Sequence, residues 1–140
     1  MASSPACWRL YGEILAREYG DPAYRGVHRL TVDSYAVQHP GEPSPPAIRS
    51  VAVHLMSLCL VLERDVDPDY ATRALQALAR TRERFHRLAP PPSLGAVTVA
   101  DVARSSSAPE HARMVRAWAE SAWSAWAAHH DTVRAWLSND

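Results

Sequence analysis

With 140 residues, 47% hydrophobic and 21% charged, the chain has the length and make-up of one globular domain able to bury its own core. Fifteen arginines and no lysine balance fifteen acidic residues, so no net charge directs it to nucleic acid or to an anionic membrane. Cys7 and Cys59 form no CxxC pair, which excludes a zinc ribbon or thioredoxin-like motif and leaves reduced thiols in a cytoplasmic protein as the expectation.

Local start and stop signals divide the chain into helices. Ser4-Pro5 opens the first, where Ser can cap and Pro loses no needed hydrogen bond, and Gly20 ends it. A period of about 100° per residue puts Cys7, Tyr11, Ile14, Leu15 and Glu18 on one face, making Glu18 the inward carboxylate, with Arg9, Glu13 and Arg17 opposite. Asp21-Pro22 starts a second helix, expected to run to about His39, with Tyr24, Val27, Thr31 and Tyr35 on its apolar face. Ser44-Pro45-Pro46 opens a third, whose Ile48, Val51, Leu55, Leu58 and Leu62 stripe marks it as the most buried. Its apolar run, Val51 to Leu62, is shorter than the roughly 20 residues that span a bilayer. Asp67-Pro68 begins a fourth helix, expected to reach the prolines after Ala89, with an arginine-rich outer face. Thr98 to Asp101 has capping-box spacing and implies a short helix to about Arg104. A long last helix is expected from Pro109 to Leu137, its seam running through Val115, Ala119, Ala122, Trp126, His129, Val133 and Trp136. The whole reads as one all-α bundle of about five main helices over residues 1–140.

The second and third helices should fold back on each other across His39 to Pro46. His28 and His54 lie almost equally far from that break, so a hairpin would bring them to one level. Facing imidazoles in a bundle core suit zinc, iron, copper or nickel, with His129 and His130 on the last helix as further ligands. Glu18, Tyr24 and Tyr35 are the candidate proton-handling groups. The other reading is a set of hydrogen-bonded core histidines. For His39, helix capping is the simpler role. There is no HExxH, P-loop, G-x-G-x-x-G or G-x-S-x-G, so no nucleotide, flavin or serine-hydrolase signature is present, and the lone ExxH at Glu83 to His86 lacks its second copy.

The stretches Leu15 to Tyr24, Val27 to Pro40 and His54-Leu55 resemble an uncharacterised family of small bacterial helical proteins, a domain of unknown function. The resemblance continues through Thr98 to Val102 and Val115 to Trp118 to His129-His130. Members often begin with a CxxC pair, of which this chain has only Cys7. A looser likeness is to DinB-type bundles, which hold a metal with histidines from several helices; it is an analogy of fold.

Together these readings favour a small metal-dependent enzyme acting on a small molecule through a site between helices. The alternative is a non-catalytic interaction module that forms a homodimer through its Trp-rich last helix. Metal content separates the two.

Overall fold

The computed structural model describes residues 4–79 and 85–138, and within them the chain forms eight α-helices and no strand. Helix α1 spans Pro5–Gly20, with Ser4 Oγ accepting from the Cys7 amide at 3.1 Å. Helix α2 is the single turn Pro22–Arg25, capped by Asp21. Helix α3 is His28–Gln38 and α4 is Pro45–Leu58, the latter capped by Ser44 and continued by a π-helical turn, Cys59–Glu63. Helix α5 is Pro68–Ala79, with Asp67 Oδ1 accepting from the amides of Asp69 and Tyr70. Helix α6, Val99–Ala103, carries the Thr98/Asp101 capping box. Helix α7 runs Ala108–Ala125 from a Ser107 cap, and α8 is His130–Ser138, joined to α7 by the 3₁₀ turn Ala127–His129.

Three helices end or break earlier than their patterns imply. The expected second helix is two pieces, because Gly26 is a poor helix former and Val27 (φ −105°, ψ 8°) leaves the helical region. That break makes His28 the first residue of α3. The fourth helix is described to Ala79, and the chain is already irregular from Phe85, so its stop precedes the prolines; residues 80–84 lie outside the described set, and with them Arg80, Arg82 and Arg84. The long last helix breaks at Trp126. There the Trp123 carbonyl accepts from the Trp126 amide (3.1 Å) and from the His130 ring (2.8 Å), which satisfies it without a continuous helix.

Helix α3 is the centre of the fold, packed between α4 on one side and α7 on the other, while α1 lies against α2 and α6. The apolar core is Ile14, Leu55, Leu58, Val115, Trp118 and Trp126 with their neighbours, all essentially inaccessible to water. The segment Pro45–Glu63 is long and apolar enough, by length and composition, to cross a membrane. Half of it is buried inside the bundle, against α3, α5 and α8, as a core helix would be.

A central helix packed on two sides is expected to be apolar, but α3 buries Thr31, Asp33, Ser34 and Gln38. Each has partners, as burial requires. Gln38 Nε2 donates to the carbonyls of Leu94 (2.9 Å) and Val97 (2.8 Å), while its Oε1 accepts from Trp118 Nε1 at 2.6 Å. This ties the loop before α6 to α3 and α7. Gly95 lets that loop close on α7: its φ is +109°, and a Cβ there would meet Ser121 Oγ at 2.7 Å.

Candidate functional site

Two buried carboxylates organise the polar interior, and each holds a histidine. Glu18, near the end of α1, is fully buried. Its Oε1 accepts from His28 Nδ1 at 2.9 Å, and its Oε2 accepts from Thr31 Oγ1 at 2.6 Å and from His111 Nε2 at 2.7 Å. Three donors offset the desolvation of one carboxylate. Arg17 donates to His111 Nδ1 (3.3 Å) and to the Ala103 carbonyl (3.3 Å). Since a guanidinium can only donate, His111 accepts at Nδ1 and carries its proton on Nε2, toward Glu18. Tyr24 meets the His111 ring edge-on at 5.0 Å, with the Arg17 guanidinium 5.9 Å from the Tyr24 ring centre.

Asp33, one turn and a half along α3, is the second centre and is also fully buried. His54 Nδ1 donates to its Oδ1 at 2.8 Å, and Ser57 Oγ donates to its Oδ2. Arg29 completes the group, with its Nη2 2.9 Å from Asp33 Oδ1 and its Nε shared between Asp33 Oδ2 (3.3 Å) and Ser57 Oγ (2.9 Å). Both side chains from α4 reach across the α3–α4 interface, so this network fixes how the two helices meet.

His28 and Arg29 also form part of the wall of a cleft of about 720 Å³, between the α2–α3 break and the start of α5. The other nitrogen of His28, Nε2, is bonded to the hydroxyl of exposed Tyr19 at 3.1 Å. With its proton on Nδ1 toward Glu18, His28 accepts there. The His28 side chain keeps about a quarter of its surface exposed (27%), against none for its carboxylate partner.

Tyr11 lies near both carboxylates. Burial, then the negative field of Glu18, Tyr19, Tyr35 and Asp33, pushes its hydroxyl up to about 12, so it holds its proton throughout the physiological range. Its ring stacks on Tyr35 at 3.9 Å, and Tyr35 stacks in turn on His39 at 4.0 Å. His39 Nδ1 donates to the Tyr35 carbonyl (2.9 Å) at the end of α3, where burial lowers its proton affinity.

The residues singled out from sequence are thus distributed over separate places. Glu18, His28 and Tyr24 share one cluster, His54 belongs to the Asp33 cluster, and Tyr35 lies in the aromatic stack. His129 and His130 lie elsewhere: His129 Nε2 donates to the Ala89 carbonyl at 2.9 Å, and His130 closes the α7 break with its ring stacked on Trp123 at 3.7 Å. Glu18, His28 and His111 meet as a hydrogen-bonded group, and among the described residues no set of three or more His, Cys, Asp or Glu side chains is arranged to hold a metal ion. Arg17, placed outward by its helical angle, instead turns in to His111. His111, Asp33 and Arg29 escaped the sequence reading altogether. Asp33 had a usable signal, an acid in the middle of a helix one turn from Leu30 on one side and Val37 on the other, whereas His111 in the first turn of α7 had none.

A third carboxylate cluster lies near the end of the π turn. Glu63 is gripped by Arg134 through two bonds (2.6 and 3.0 Å) and accepts from Trp123 Nε1 at 3.3 Å; the Arg134 hydrogen bonds hold its carboxyl at about 2. Burial first, then Glu63, pushes the Cys59 thiol up to about 11. Both cysteines are free, so neither supplies a disulfide.

No curated protein and no solved structure matches the chain, and the likeness to DinB-type bundles gains no support from that comparison. One family model does match, over residues 1–127, and that span takes in Glu18, His28, Asp33, His54 and His111. The chain therefore belongs to the family of unknown function DUF5946.

Proposed function

We propose that the protein binds a small molecule in the cleft beside His28 and moves a proton to or from it. The observation that carries this reading is the hydrogen bond from His28 Nδ1 to fully buried Glu18, on a ring that lines a cleft. A carboxylate in that position orients the imidazole, selects the tautomer with a basic Nε2, and stabilises the imidazolium formed when Nε2 takes a proton. Thr31 and His111 hold the carboxylate in place, so the pair is preorganised. Tyr19, bonded to Nε2 and otherwise exposed, occupies the position a ligand's proton-bearing atom would take.

The test is to incubate wild-type protein and the His28→Gln variant with a small-molecule extract and follow every component by mass spectrometry. A compound consumed by the wild type and spared by His28→Gln is the expected result. Equal consumption by both, or none by either, overturns the reading.

A metal-dependent version is favoured by one further observation. His28 and His54 each donate Nδ1 to a buried carboxylate, the arrangement that commonly orients metal-bound imidazoles. Elemental analysis of untagged protein purified without chelator, beside His28→Ala and His54→Ala, decides it. Near-stoichiometric metal that both variants lose, with the fold retained, would put a Lewis acid where the first reading puts a proton acceptor.

A further inference from the structure

The cleft walls carry opposite charge. On the α2–α3 side stand Arg25 and Arg29, and across from them, at the start of α5, stand Asp67 and Asp69. Opposite charges on facing walls would ordinarily close into ion pairs. Here, among the described residues, they do not. Arg29 is committed to Asp33 at 2.9 Å, and Arg25 donates to the Tyr19 carbonyl at 3.2 Å. Asp67 uses Oδ1 to cap α5, which leaves its Oδ2 and the whole Asp69 carboxylate without a hydrogen bond among the described residues.

The fold keeps those walls apart. Arg29 cannot swing across, because Asp33 and Ser57 hold both its Nε and its Nη2, and only about a fifth of the side chain is exposed (19%). Asp67 cannot approach, because it is bound to the amides of its own helix. Between them lies a cleft of about 720 Å³, with Val32 and Pro68 as apolar surface. With the Arg29 charge paired to Asp33, the positive side of this space is carried by Arg25 and the negative side by Asp67 and Asp69, an arrangement complementary to a ligand of the reverse polarity.

From this arrangement we infer that the cleft takes a small zwitterion, its anionic group toward Arg25 and its ammonium toward Asp67 and Asp69. The inference rests on the reading of the cleft as the substrate site and names the class of substrate. Bound that way, the molecule spans the cleft with its middle against Val32 and Pro68, and His28 stands beside its anionic half. The acid–base group would then act at an atom near the carboxylate or other anionic end.

The test follows the His28 ring by nitrogen-15 NMR during titration with glycine, 4-aminobutyrate and 6-aminohexanoate, beside butyrate and butylamine as the separated halves. At least one zwitterion should shift the ring signal saturably, with an affinity about tenfold or more above that of either half. Arg25→Gln and Asp69→Asn, both at exposed positions, should each weaken that zwitterion severalfold while the unliganded His28 signal keeps its wild-type position. Butyrate or butylamine binding as tightly as the best zwitterion, or an Asp69→Asn variant that binds normally, would overturn the inference, as would the absence of any saturable shift. The acid–base reading is judged separately, by whether Glu18→Gln changes the tautomer of His28. A His28 that depends on Glu18 but ignores every zwitterion rejects the ligand class alone.

Discussion

Glu18 and His111, 93 residues apart in the chain, are joined at 2.7 Å with both side chains fully buried. The bond ties the end of α1 to the first turn of α7. Replacing Glu18 by Ala strands three buried or half-buried donors at once, on Thr31, His28 and His111, and should cost about 3–5 kcal/mol of unfolding free energy, the range for breaking a buried pair. Glu18→Gln keeps the volume and an acceptor and should cost less. Urea denaturation of the three proteins checks the order, and equal stability of Glu18→Ala and wild type would contradict the network's structural role.

Gly95→Ala tests the approach of the loop to α7. At φ +109° an alanine is strained, and its Cβ would meet Ser121 at both the side chain and the backbone. A loss of about 1–3 kcal/mol is expected, with a lower thermal midpoint. Ser121→Gly would relieve the side-chain contact but also remove the oxygen that accepts from the Val97 amide at 3.2 Å and place a glycine inside α7, so it should not restore stability.

The Glu63–Arg134 pair makes a signed prediction for acid. The Glu63 carboxyl is lowered from 4.5 to about 2 in the folded protein, so its contribution is present above the ordinary carboxylate value and is lost as pH falls toward about 2. Arg134→Gln should therefore be less stable than wild type at neutral pH, by a modest amount because the pair is partly exposed, and the gap should shrink below about pH 4.5. Denaturation curves at several pH values read this out. A gap that stays constant down to pH 2 would contradict it.

For Cys59 the direction is the opposite. Burial and Glu63 raise the thiol to about 11 from 9.0, so the fold favours the neutral form and stability attributable to this group declines as pH rises from about 9 toward 11. At pH 8 Cys59 should stay unmodified by iodoacetamide in the native protein, while half-exposed Cys7 reacts. Peptide mass mapping distinguishes the two sites.

Tyr11 can be followed by its own absorbance. Its hydroxyl is held to about 12, first by burial and then by Glu18 and the neighbouring tyrosines, so an ultraviolet titration of the native protein should show a phenol step near pH 12 that Tyr11→Phe removes. Glu18→Gln removes the largest of the charges facing it and should bring that late step to lower pH.

The helix starts were legible because each is a local device. Ser4-Pro5, Asp21-Pro22, Ser44-Pro45, Asp67-Pro68 and the Thr98/Asp101 box all cap as their residue types imply, since a side-chain acceptor two or three residues from an unpaired amide needs nothing from the rest of the fold. Glu18 as the inward carboxylate of α1 was legible for the same reason, from helical angle alone. Two breaks were not. The turn at Gly26-Val27 and the one at Trp126 interrupt patterns whose apolar spacing is otherwise continuous; at Trp126 the Trp123 carbonyl is completed by a side chain, His130, seven residues ahead.

By itself, then, the sequence determined the all-helical class, the places where helices begin and the presence of a buried acid on α1, because these follow from propensity, capping and a 3.6-residue period. Only the tertiary structure decided which partners the buried groups take. His28 pairs with Glu18 and His54 with Asp33, while the buried His111 joins the first of these groups from a distant helix. The physical reason is that a buried carboxylate accepts from whichever donors the packing brings within about 3 Å, and that choice rests on how α3 lies between α4 and α7, which no local spacing encodes.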